Sequence, residues 1–165
     1  MKWFNKSSIK SLDDLKKAYR RLAMENHPDR GGTVEAMQEI NNEYDELFSI
    51  YKAAQNRKAE DGKGYATMET PDDFKQIVEV LIHLDGLEIE LCGCWLWIGG
   101  DTKRHKDALK KAGCNWCSKK KLWSWHPDYA AVYTGKRRRT KSMEYIRNVY
   151  GSEIIGRGTE QLGLA

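Results

Sequence analysis

From Ser11 onward, apolar positions recur at helical spacing. In SLDDLKKAYRRLAMEN, Leu12, Leu15, Tyr19, Leu22 and Ala23 share one face. Ser11 and two following acids make a favourable start, and Lys16, Lys17, Arg20 and Arg21 form a basic stripe expected to point outward. Pro28 disfavours helical geometry in His27 and has no N–H to donate, so the helix must end near Asn26, and Gly31-Gly32 extends the break. A second helix is predicted from about Thr33, with Val34, Met37, Ile40, Asn41, Tyr44, Leu47, Phe48 and Tyr51 in phase. Two amphipathic helices joined by a short loop pack as an antiparallel hairpin, with Trp3, Phe4 and Ile9 as a lid over its open end.

Past residue 53 the chain turns polar and glycine-bearing, and residues 61–69 read as a linker. Thr70-Pro71-Asp72-Asp73 opens a third helix, with Phe74, Ile77, Val78 and Leu81 as its buried face, stopped by Gly86. LEIELCGCWLWIGG reads as one strand in which Leu87, Ile89, Leu91, Gly93, Trp95 and Trp97 share a face, with Glu88, Glu90 and the cysteines opposite. A short basic helix over 101–113 and two strands around Ser118-Lys119-Lys120-Lys121 follow. A short helix capped by Ser142 and a loose tail complete the chain. The fold class is therefore α+β: an all-α hairpin over residues 1–60, the linker, an α-β-α-β-β module with its short C-terminal helix over 70–155, and a tail over 156–165.

With 40% hydrophobic and 32% charged residues, the composition is that of an ordered globular protein. No apolar run of about 18 residues occurs, and MKWFNKSSIK lacks the apolar segment of a secretory signal, so a cytoplasmic protein without membrane attachment is expected. The net charge of +4 conceals an asymmetry: residues 61–101 carry −7 and residues 102–141 carry +11. That block points to an anionic partner.

The run KKAYRRLA, the tripeptide His27-Pro28-Asp29 and the counter-helix EINNEYDELF closely resemble the J-domain family, over about the first 60 residues. The reduced first segment WFNKSSI and the short loop HPDRGG are similar to auxilin-like and viral tumour-antigen J-domains. The resemblance implies a co-chaperone that docks on an Hsp70 of the DnaK kind and stimulates its ATP hydrolysis. It assigns electrostatic contacts to Lys16, Lys17, Arg20 and Arg21, and formation or support of the loop contact to Tyr19, His27, Pro28, Asp29 and Arg30. It implies no enzyme chemistry on this chain. A second His-Pro-Asp at 126–128 follows the alternating segment LWSW instead of a basic helix and is read as chance repetition.

Neither a Gly/Phe-rich stretch nor CxxCxGxG repeats follow, which places the chain with proteins defined by the J-domain alone. Cys92, Cys94, Cys114 and Cys117 could in principle supply four thiolates to zinc. The CxC pair within a strand and the tryptophans around it favour small buried thiols instead, so no cofactor is expected. The module resembles small domains of bacterial plasmid and phage proteins. Its basic residues Lys103, Arg104, Lys110, Lys111, Lys119, Lys120, Lys121, Arg137, Arg138 and Arg139, interleaved with Trp116, Trp123, Trp125, Tyr129 and Tyr133, suit nucleic acid or an acidic protein client. A nucleic-acid-binding protein in which the helical hairpin is mainly structural is the alternative.

Overall fold

Ser11 takes up extended geometry and its Oγ accepts the N–H of Asp14, which starts α1 over Leu12–Asn26. Thr33 does the same for Ala36 at the head of α2, Val34–Glu60. In this computed structural model, residues 1–63, 66–92, 95–127 and 141–156 are described. The chain divides into two compact units, Met1–Val78 and Glu79–Ala165.

In the first unit α1 and α2 pack as the expected hairpin. Tyr19 and Tyr44 meet at 4.2 Å between ring centroids, Phe48 and Phe4 flank Tyr44, and the Tyr19 hydroxyl donates to Asn41 Oδ1 at 3.0 Å. These rings are buried and dominate the core. Of the expected N-terminal lid, Phe4 and Ile9 are buried and Trp3 is half-buried. The segment lies along α2, from Glu39 and Glu43 in its first half to Tyr51, whose hydroxyl donates to the Ile9 carbonyl, instead of closing the open end alone. Three successive backbone N–H groups, of Lys2, Trp3 and Phe4, donate to the Glu43 carboxylate at 2.7 to 3.2 Å, and Glu39 accepts from the Lys2 ammonium and the Trp3 indole. Partial burial raises the Glu43 pKa, but those N–H bonds outweigh it and leave the group below its usual range.

The segment expected to be a linker is instead partly built into this unit. Thr67 and Glu69 are buried. Asn56 clamps Thr67 through its N–H and carbonyl, and Lys52 Nζ donates to the Glu69 carbonyl at 2.7 Å. Polar residues at 66–69 read as linker because their partners lie on a distant turn of α2. Next, α3 (Pro71–Ile82) opens on a reciprocal cap in which Thr70 N–H donates to Asp73 and Asp73 N–H to Thr70 Oγ1. Phe74 then joins the aromatic core, 6.2 Å from Tyr19 and 6.4 Å from Tyr44.

The second unit holds a five-stranded antiparallel sheet in the order β3-β4-β2-β1-β5. Its strands are β1 (Leu87–Cys92), β2 (Trp95–Gly100), β3 (Asn115–Cys117), β4 (Leu122–Trp125) and β5 (Glu153–Gly156). The expected single strand is thus a hairpin, β1 with β2. A two-residue connection pairs even with odd positions, Glu90 with Trp97 and Cys92 with Trp95, which moves both tryptophans to the glutamate and cysteine face. Ile89, Leu91, Leu96, Ile98, Trp123 and Trp125 form the opposite, buried face.

Between β2 and β3 the helix α4 spans only Lys106–Lys111, because Asp101–His105 are spent in turns. After β4, α5 (Met143–Tyr150) is capped by Ser142 as expected, and β5 adds to the β1 edge with a bulge between Ile89 and Glu90. No helix among the described residues is long and apolar enough to cross a membrane.

Candidate functional site

The tripeptide loop is held from inside. His27 leaves the helix with extended ψ, its ring is 7% exposed, and Nδ1 accepts the N–H of Asp29 at 3.2 Å. Pro28–Arg30 form one 3₁₀ turn, closed by Arg30 N–H and Gly32 N–H onto the His27 carbonyl and by Gly31 N–H onto that of Pro28. Gly31 has φ +93°, and a Cβ on Gly32 would lie 1.9 Å from the Asn26 carbonyl oxygen. The glycine pair therefore lets the loop fold back on the end of α1. The outcome is a buried histidine beneath three exposed residues, Pro28, Asp29 and Arg30. Tyr19 is 3% exposed, so it supports the hairpin under the loop and does not face outward.

The basic stripe splits into two rows. Arg21 is exposed and Lys17 half-buried, as an outward stripe requires, but Lys16 and Arg20 are fully buried. The physical reason is angular: positions 16 and 20 directly follow the core positions 15 and 19, so any element laid beside the hairpin covers them. For Lys16 the cover is Glu69, whose Oε2 is 2.6 Å from Nζ, and the ring of Phe74, 4.9 Å from the ammonium. Arg20 has no hydrogen-bond partner at any guanidinium nitrogen among the described residues, and burial, reinforced by the like charge of Arg30, lowers its pKa to about 10. These contacts are absent from any local sequence pattern, since Glu69 lies 53 residues from Lys16.

In the second unit the described basic candidates are on the surface. Lys103, Arg104, Lys110, Lys111, Lys119 and Lys121 are exposed; Lys120 is half-buried with its ammonium 5.0 Å from the ring of Trp97. Arg137, Arg138 and Arg139, with Tyr129 and Tyr133, lie outside the described residues. Of the tryptophans interleaved with them, Trp123 and Trp125 are core and Trp116 is half exposed. His126, of the second tripeptide, follows the strand β4 and is buried against Trp95 at 4.5 Å, while Asp128 lies outside the described residues.

The described thiols are not brought together. Cys92 on β1 and Cys117 on β3 are separated by β2 and β4, about 14 Å at roughly 4.8 Å per strand, too far to share a tetrahedral ion. Burial pushes the Cys114 thiol up to about 12, which suits a small apolar residue better than a ligand. Cys94 lies outside the described residues.

Comparison with known proteins bears out the family resemblance of the first unit. The chain is 46% identical over 59 residues to the chaperone protein DnaJ of Rhodospirillum centenum, covering 36% of this chain and 16% of that protein. It is 42% identical over 59 residues to that of Acidiphilium cryptum, 36% of this chain and 15% of that one. It is 57% identical over 37 residues to DnaJ protein homolog 1 of Allium porrum, 22% of this chain and 9% of that one. The chain thus spans only a small part of the length of these curated relatives. No family model and no solved structure matches.

Proposed function

We propose that the J-domain formed by the first 60 residues recruits an Hsp70 of the DnaK kind and stimulates its ATP hydrolysis, and that the basic second unit directs this action to a nucleic acid or an acidic client in the cytoplasm. The observation that carries the first half is the loop geometry: a buried His27 ring holds Pro28, Asp29 and Arg30 outward at the end of a basic helix. A rigid projecting turn supplies the differential contact that shifts a partner's equilibrium, and the cationic row speeds encounter with an acidic surface. Because Lys16 is engaged with Glu69, the electrostatic part falls to Lys17, Arg21 and Arg30. The chain itself performs no chemistry in this reading.

The burial of Lys16 and Arg20 favours the second reading, in which the hairpin is structural and the basic unit alone binds. Single-turnover ATP hydrolysis by an Hsp70 separates the two. Stimulation by the native chain that is lost in His27→Gln supports the co-chaperone; no stimulation, or equal stimulation by the variant, leaves the structural reading.

A further inference from the structure

The residues between Asp107 and Asp128 include five lysines and no acid. Four of them, Lys110, Lys111, Lys119 and Lys121, are exposed, and none forms an ion pair among the described residues. Such a surface is uncompensated, unlike the helical stripe of the first unit, where Lys16 is already paired. In its midst stands Trp116, at the centre of β3, an edge strand of the described sheet. Its indole is 50% exposed and rests at 5.6 Å and 60° against the buried Trp123, its cross-strand partner. Trp123 props one side of the ring, and the residue stays half exposed.

Two further features place lysines on both chain approaches to this ring. The connection from β3 to β4 runs through Ser118–Lys121, so Lys119 and Lys121 sit at the end of the hairpin that carries Trp116 and Trp123. Lys121 holds φ +54°, a left-handed conformation usually filled by glycine or asparagine; a cation occupies it here. On the other side, Lys110 and Lys111 end α4, immediately before the Gly113-Cys114 step into β3.

We propose that Trp116 and these four lysines form a binding site for single-stranded nucleic acid, with an unpaired base stacked on the indole and the flanking phosphates on the ammonium groups. This deepens the targeting half of the proposed function and rests on it. An exposed, propped ring between cations matches the alternation of bases and phosphates along an unpaired strand, whereas a duplex presents no base face to it. An acidic polypeptide could use the lysines but has no base to stack.

The test is fluorescence anisotropy with the full chain and labelled oligo-dT and oligo-U of about 15 nucleotides, a length on the scale of known single-strand sites. A duplex of equal length and a polyglutamate peptide serve as competitors. Either oligonucleotide is expected to bind more tightly than the duplex. Trp116→Ala is expected to weaken binding about tenfold, with Trp116→Tyr restoring most of it, as for loss and recovery of one stacked base. The Lys119→Ala, Lys121→Ala double variant is expected to reduce the slope of log affinity against log salt by about 1.4. Thermal melts matching the native chain show that the variants fold; Trp116, half exposed on an edge strand, is a tolerant position. Equal binding by native protein and Trp116→Ala overturns the site, as does polyglutamate binding without oligonucleotide binding. Duplex binding as tight as single-strand binding removes the stacking site while leaving nucleic-acid targeting in place, and Hsp70 stimulation by the same preparation reports the J-domain separately.

Discussion

Replacing Glu69 by Leu tests how the J-domain face is built. The Lys16–Glu69 pair is 2.6 Å long with side chains 0% and 1% exposed, so neither charge is hydrated. Removing the carboxylate leaves a buried ammonium facing the Phe74 ring. Breaking one half of such a pair costs about 3–5 kcal/mol, because the desolvation of the survivor is no longer offset. The half-exposed Lys75–Asp45 pair of the same unit, by contrast, is of the class worth less than about 1 kcal/mol. A domain of this size shifts its melting midpoint by roughly 4–8 °C per kcal/mol, so Glu69→Leu is expected to lower it by more than about 12 °C. Far-UV circular dichroism at the helix band follows this unit, whose described regular structure is helical. Lys16→Met should cost a similar amount, and the double variant should regain most of the loss, giving a coupling of at least about 2 kcal/mol. Single variants that each cost under about 1 kcal/mol and simply add would refute the buried pair.

Two further outcomes follow from the loop and the sheet. Gly32→Ala places a methyl 1.9 Å from the Asn26 carbonyl oxygen, so the loop must open; stimulation of Hsp70 is expected to fall by at least about tenfold, by analogy with small misplacements at other functional sites, while the helical signal is kept. The bidentate bond from Arg147, at 2.6 and 2.8 Å, holds the Glu90 carboxyl below its usual value of 4.5. A carboxyl whose pKa is depressed by folding adds stability that is present above about pH 4.5 and lost as pH falls through the depressed value. The stability difference between native protein and Arg147→Ala, followed by tryptophan fluorescence, should therefore be constant near neutrality and shrink below about pH 4.5; a difference that persists unchanged into acid would contradict it.

Much of the first unit was legible because its signals are local. Ser11 and Thr70, and Ser142 in the second unit, cap the helices they were expected to cap, Thr33 caps the helix expected to start near it, and the spacing of Leu15, Tyr19, Ile40 and Tyr44 identified the buried seam. The errors concern pairings that the period of a single segment does not display. From Trp95 to Ile98 both alternating sets are apolar, so period-two reasoning could not see that Trp95–Gly100 pairs back on Leu87–Cys92. Thr67 and Glu69, in a stretch that follows Asp61-Gly62-Lys63-Gly64, look like linker composition, and only the remote Asn56, Lys52 and Lys16 make them structural. β5 was missed because Glu153–Gly156 is too short to show a period, and its place in the sheet comes from pairing with β1.

The tripeptide His-Pro-Asp occurs twice, and the contrast isolates what converts letters into a surface. At His27 the preceding α-helix ends on a ring that turns inward, the next backbone N–H caps that ring, and two glycines let the chain return over the helix end. Each of these acts on the same short span, so the exposed residues are displayed by a turn with little freedom to relax. At His126 the preceding element is the strand β4, and its histidine is drawn into an aromatic cluster with Trp95. A strand directs successive side chains to opposite faces, so it cannot assemble a one-sided cationic face leading into a projecting turn. The same geometry explains the uneven fate of the basic helix residues. Lys17 and Arg21 lie one further step around α1 from the core and stay accessible to a partner, whereas Lys16 has its counter-charge within the chain. A partner approaching this J-domain therefore meets the loop and the outer row together, and the charge of Lys16 reaches it only if the Glu69 contact opens.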